Sequence, residues 1–173
     1  DEITLNGQLV KLEGGKAITL KVDPKTQWGK RYICGPEFNL FDRASTIEAS
    51  LDKLPLRKKG GEWKEVNEEK ITLPVNLIED YYLMQTVESP KAQDILLDVA
   101  AGNAVELFVN GVSVMKHLNP YRCTYREEKV LVHLNKGTNQ IILRAYNRFE
   151  KETSLLLRPS AEQVIYKQNV TLD

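Results

Sequence analysis

The chain has 173 residues, 42% of them apolar and 28% charged, a composition that suits one soluble globular domain with a core of its own. Lys and Arg total 24, Asp and Glu total 24, and the formal net charge is zero. That balance argues against a general nucleic-acid binder, which needs a basic excess against phosphate, and no apolar run approaches the ~18 residues of a membrane-spanning helix.

A hydrophobic period of two dominates the chain. Ala17 to Val22 alternates, and so does Ser45 to Leu51. The best helical candidate, Ala44 to Leu54, also reads as a strand. Arg57-Lys58-Lys59, beside Gly60-Gly61, is the one basic run, which a solvated loop explains better than a local nucleic-acid patch, and Leu56 to Gly61 reads as a loop and not a domain boundary. Further on, Tyr81 to Val87 is rich in aromatic and β-branched residues. Asp94 to Val99, Lys129 to Leu134, Gln140 to Asn147, Ser154 to Arg158 and Gln163 to Tyr166 complete the series. Many short strands separated by turn signals, without interleaved helices, predict an all-β, antiparallel sandwich spanning residues 1–173 as a single domain.

Within it, Val105 to His117 (VELFVNGVSVMKH) reads as a hairpin. Asn110 and Gly111 both tolerate the positive φ of a two-residue type I′ turn, which pairs Val109 with Val112. Val105, Leu107 and Val109 then face the core, and Glu106 and Phe108 face the other way.

Cys34 and Cys123 are too few for a disulfide scaffold; one bridge and two separate buried thiols are both open readings. No signal peptide is visible. The chain starts at Asp1 without Met, as a processed or excised chain would, so the missing leader is silent on compartment.

The hairpin, the LNPY that follows it at Leu118 to Tyr121, and the turn formed by Leu134, Gly137 and Asn139 in LNKGTN resemble the galactose-binding-domain-like β-sandwich. The likeness is to the jelly-roll modules of glycoside hydrolases, such as the sugar-binding domain of β-galactosidases and β-glucuronidases. Trp63 and Tyr81-Tyr82 match the early Trp and the Tyr-containing strand of that pattern. The resemblance covers about 63–158, and residues 1–60 supply first strands or an extension. It implies a module that binds carbohydrate or packs against a catalytic domain of the same polypeptide, in a secreted or periplasmic enzyme. α-Fucosidase-like and β-galactosidase-like parents both fit.

Catalytic chemistry finds no support. A glycosidase needs two carboxyl groups ~5–9.5 Å apart, and no pair stands out. Glu68-Glu69, Glu79-Asp80 and Glu127-Glu128 sit beside expected turns and are expected to be solvated. The chain is too short for a ~250-residue barrel and lacks GxSxG, HExxH and P-loop patterns. His133, opposite Val130, Val132 and Leu134, reads as a surface histidine. No catalytic residue, metal ligand or cofactor is assigned. Calcium is common in this fold and leaves no signature when carbonyls bind it; Asp23 and Asp42 are in loop contexts but are not assigned to it.

Sugar binding calls for an aromatic face with planar polar groups. One candidate is the loop after the hairpin, with His117, Asn119, Tyr121 and Arg122. The second is Gln27 to Tyr32, with Trp28, Arg31 and Tyr32, where Trp28 serves either as a stacking platform or as a buried residue opening a strand. Trp63 reads as a core residue. The competing functions are therefore a carbohydrate-binding module, a purely structural domain and, as the remotest, a small stand-alone jelly-roll enzyme.

Overall fold

The computed structural model describes residues 2–5, 8–38, 63–74, 79–101, 104–118, 126–146 and 152–172. Among them are thirteen strands, all paired antiparallel: β1 Glu2–Leu5, β2 Gln8–Thr19, β3 Gln27–Phe38, β4 Lys64–Val66, β5 Lys70–Pro74, β6 Glu79–Ser89, β7 Gln93–Ala101, β8 Ala104–Val109, β9 Val112–Leu118, β10 Arg126–Leu134, β11 Gly137–Tyr146, β12 Glu152–Pro159 and β13 Val164–Leu172. A six-stranded sheet runs β4-β3-β6-β11-β8-β9, a four-stranded sheet runs β10-β7-β12-β5, and β1-β2-β13 form a third. No helix among the described residues is long and apolar enough to cross a membrane.

The two larger sheets make the sandwich, and period-two patterning explains how. Leu83 and Val87 of β6, Leu107 and Val109 of β8, and Ile141 and Leu143 of β11 meet Ile95, Leu97 and Val99 of β7, Val132 and Leu134 of β10, and Leu155 and Leu157 of β12 in one cluster. Each fully buried side chain of this size contributes ~1.5–3 kcal/mol. The opposite face of the six-stranded sheet is buried as well. Cys34, Tyr82, Met84, Phe108 and Ile142 form a second cluster there, with Tyr32 and Trp63 packed against it.

The hairpin forms in the expected register, with Val109 opposite Val112 and positive φ at Asn110 (50°) and Gly111 (80°). Asn110 also reaches sideways. Its Nδ2 donates to Asn139 Oδ1 (2.9 Å), and its Oδ1 accepts from Gln140 N (2.9 Å). Asn139 is fully buried; its Nδ2 donates to Asn135 O and Gly137 O, and its Oδ1 accepts from Asn135 N. Gly137, at φ 97°, supplies the turn backbone that an L side chain would strain. The hairpin and the LNKGTN turn are thus one hydrogen-bonded unit.

Three differences from the sequence reading have physical causes. The strand expected over Ala17–Val22 stops at Thr19. There Leu20 N donates to Gln163 O, and the following loop is held by the Gln93 amide, which accepts from Asp23 N and donates to Thr26 Oγ1. Four strands, β1, β3, β4 and β5, do not stand out in the sequence: β1, β4 and β5 are only 4, 3 and 5 residues long, and β3 contains a register shift between Trp28 and Arg31. Asp80 is not solvated. It lies 1% exposed in β6 and its Oδ2 accepts from Arg144 Nε at 2.7 Å, a fate its acidic neighbour at a strand end did not signal. The 44–54 segment, the 56–61 loop, Asp42 and Cys123 lie outside the described residues. Cys34 is buried.

Candidate functional site

β9 is the edge of the six-stranded sheet and β10 the edge of the four-stranded one. His117 ends the described part of β9 side chains, exposed, with Nδ1 2.9 Å from Glu128 Oε1 of β10. This contact spans the two sheets where the chain leaves β9. Asn119, Tyr121 and Arg122, the other candidates of this loop, lie outside the described residues. His133 is exposed, as expected, beside Asp94 (2.7 Å).

The second candidate group is divided by the pleat. Trp28, opposite Val87, is half-buried against the sandwich core, as is Ile33. Tyr32, opposite Met84, packs on the outer cluster. Arg31, opposite Gln85 and Val66, lies on the Trp28 side. Trp28 and Arg31 can therefore act together, while Tyr32 belongs to the other face of the sheet. Trp63 is half-buried against the outer cluster.

Arg31 is held at one nitrogen: Nη1 donates to Glu68 O at 2.8 Å and to Glu69 O at 3.5 Å. Its Nε and Nη2 are shut off from solvent without an acceptor among the described residues. Each buried N–H left so costs ~1–3 kcal/mol. Burial pulls its affinity for the proton below the ordinary guanidinium value, against the charges of Glu69 and Glu68.

Two charged networks were not foreseen. On the outer face of the six-stranded sheet Arg144, 1% exposed, lies between Asp80 (2.7 Å) and Glu106 (3.4 Å). Glu106 also accepts from Ser113 Oγ (2.8 Å) and stands 3.6 Å from Lys116 Nζ. The two carboxylates converge on a guanidinium inside the protein, so they neutralise it and do not face a substrate. On the outer face of the four-stranded sheet Asp98 accepts from Arg158 Nε (3.2 Å) and Lys129 Nζ (3.3 Å). Arg158 also pairs with Glu69 and lies 3.8 Å from Glu127. Burial is the largest single influence on Asp98 and acts to raise its carboxyl. Hydrogen bonding to Ser160, Arg158 and Lys129, with the charge of Lys129, together outweigh it and hold the carboxyl below its ordinary range. The signal for both networks was a charged residue inside an otherwise apolar strand, as at Glu106 in AVELFV and Arg144 in IILRAY.

No group of three or more His, Cys, Asp or Glu placed to hold a metal ion occurs among the described residues. The Asp23 carboxylate is engaged in its own turn, accepting from Lys25 N at 2.9 Å.

No family model and no curated protein matches the chain. Among solved structures it is similar to the β-glucosidase from Kluyveromyces marxianus in complex with glucose, at 10% identity and a TM-score of 0.45, over 76% of this chain and 17% of that one. It is similar to the epithelial adhesin 9 A domain from Candida glabrata in complex with Galb1-4GlcNAc, at 9% identity and a TM-score of 0.41, over 93% of this chain and 97% of that one. It is similar to the GH31 α-xylosidase from Xanthomonas citri, at 11% identity and a TM-score of 0.36, over 95% of this chain and 19% of that one. The chain thus spans only 17% and 19% of these two enzymes.

Proposed function

We propose that the chain is a non-catalytic carbohydrate-binding module, a single sandwich over residues 1–173 of the jelly-roll, galactose-binding-domain-like kind. Its setting is a secreted or periplasmic glycan-degrading enzyme, with an α-fucosidase-like or β-galactosidase-like catalytic domain in the same polypeptide. The observation that carries this reading is the joining of its two diagnostic motifs: the Asn110–Gly111 hairpin and the Leu134–Asn139 turn share side-chain hydrogen bonds through Asn110 and Asn139. Beyond His117 the sequence carries Asn119, Tyr121 and Arg122, an aromatic ring and planar polar groups of the kind that bind sugar. Trp28 and Arg31 are a second pair on the same face of β3. No catalytic residue and no cofactor belong to this reading; a structural calcium ion is compatible with it.

The test is a glycan array probed with the folded full chain. Retention of at least one glycan class upholds the module; a folded chain that retains none removes it. A purely structural domain, packed on a catalytic partner, is the second reading. It is favoured by Val112 and Val114, 63% and 44% exposed on edge strand β9. It calls for tight association with the catalytic domain and no affinity for sugar.

A further inference from the structure

Arg31 differs from Arg144 and Arg158. Arg144 and Arg158 each face two or more carboxylates. Arg31 makes no ion pair among the described residues. The acids around it have other partners: Glu65 is paired with Lys30 at 3.0 Å, Glu69 with Arg158, and Glu68 Oε2 accepts from Asn67 N at 3.1 Å. The guanidinium is fixed in place through Nη1 on the Glu68 and Glu69 carbonyls. The edge left over is the Nε–Nη2 side. Those two N–H groups point in parallel at the spacing of the two oxygens of one carboxylate, the side-on fork that makes Arg a bidentate donor to such groups.

We propose that the side-on edge of Arg31 receives a ligand carboxylate and, resting on the carbohydrate reading above, that this is the carboxylate of a uronic acid residue. A uronate supplies two acceptors for Nε and Nη2 and a carboxylate in direct contact, where Glu69 and Glu68 act on the guanidinium only through space. Trp28, half-buried on the same face of β3, supplies an aromatic wall for the pyranose ring. Glu68 and Glu69, whose carbonyls hold Nη1, lie in the exposed segment 67–69 between β4 and β5, outside any strand. A lysine at position 31 keeps the charge and loses the fork.

The test follows the Arg31 Nε–H resonance of 15N-labelled full chain titrated in parallel with galacturonate, galactose and acetate. Galacturonate is expected to shift that resonance, and galactose to leave it in place. Acetate, lacking the ring, is expected to bind at least tenfold more weakly. Arg31→Lys, checked for folding by its thermal transition, is expected to lose at least tenfold in galacturonate affinity. An unmoved resonance overturns the proposal, as does equal response to galactose, acetate binding as tight as galacturonate, or full affinity in a folded Arg31→Lys. Should that variant not fold, the wild-type titration decides alone. Neutral glycans retained on the array with galacturonate silent would remove this inference and spare the module; galacturonate bound at Arg31 with the array otherwise empty would narrow the module to acidic sugars.

Discussion

On the outer face of the six-stranded sheet Arg144 sits between two carboxylates and out of water. On the outer face of the four-stranded sheet Arg158 also sits among carboxylates, but its side chain is 37% exposed. The groups match and the settings do not. In the first, removal of the guanidinium strands charge in a low-dielectric interior; in the second, water reaches the Arg158 and Glu69 side chains, and the buried Asp98 keeps Lys129. Similar ion pairs therefore carry very different weight, and the buried set shows that the outer face of the six-stranded sheet is a second interior beside the sandwich core.

The largest expected effect breaks the buried side of this comparison. Arg144→Met should cost ~3–5 kcal/mol, because Asp80 and Glu106 lose the buried guanidinium between them; denaturant unfolding measures it. Adding Asp80→Leu and Glu106→Leu to it should recover most of that loss, since the stranded charges go too. A single Arg144→Met variant within ~1 kcal/mol of wild type would show that the triad is not buried.

Next is Asn110→Asp. The acid keeps the turn but loses the Nδ2 donor and sets an oxygen against Asn139 Oδ1, for an expected ~1–3 kcal/mol. If the loss were only a few tenths, Asn110 would be a turn residue and nothing more.

The exposed network should yield less. Arg158→Ala is expected to cost about 1 kcal/mol or less, and 1 M salt should erase much of the difference. Its pH signature is distinct. The Asp98 carboxyl is lowered in the folded state, so its contribution is present above the unfolded value, near ~3.9, and is lost as pH falls through the folded value. Asp98→Asn should therefore flatten the stability profile on the acid side, below about pH 4, and a profile of unchanged slope would contradict the assignment. Smallest of all, His117→Ala should alter stability by less than about 1 kcal/mol, as its contact with Glu128 is open to solvent.

Much of the fold was legible because period-two alternation is read directly from apolar positions, as in Leu83, Val87, Leu107 and Val109. The Asn-Gly turn was legible because positive φ at two successive positions restricts residue choice. Alternation could not reveal that Tyr82, Phe108 and Ile142 are also buried, since a strand covered on both faces has no polar side to show. Nor could it reveal Asp80 as Arg144's partner: the two are 64 positions apart and meet only through the register of β6 with β11. Of the candidate site, the sequence placed aromatic and planar polar residues near one another along the chain. It could not show that the pleat of β3 sends Tyr32 to the face opposite Trp28 and Arg31, because the register shift between Trp28 and Arg31 is a property of pairing with β6.

The sandwich is proposed as the frame for neutral-sugar binding by His117, Asn119, Tyr121 and Arg122, apart from the acidic-sugar subsite proposed at Arg31. The most direct measurement is calorimetric titration of the strongest neutral glycan of the array into wild type and into the Tyr121→Ala, Arg122→Ala double variant. A loss of tenfold or more in affinity with an unchanged unfolding temperature is the expected result. Undiminished affinity in the folded double variant would contradict the claim.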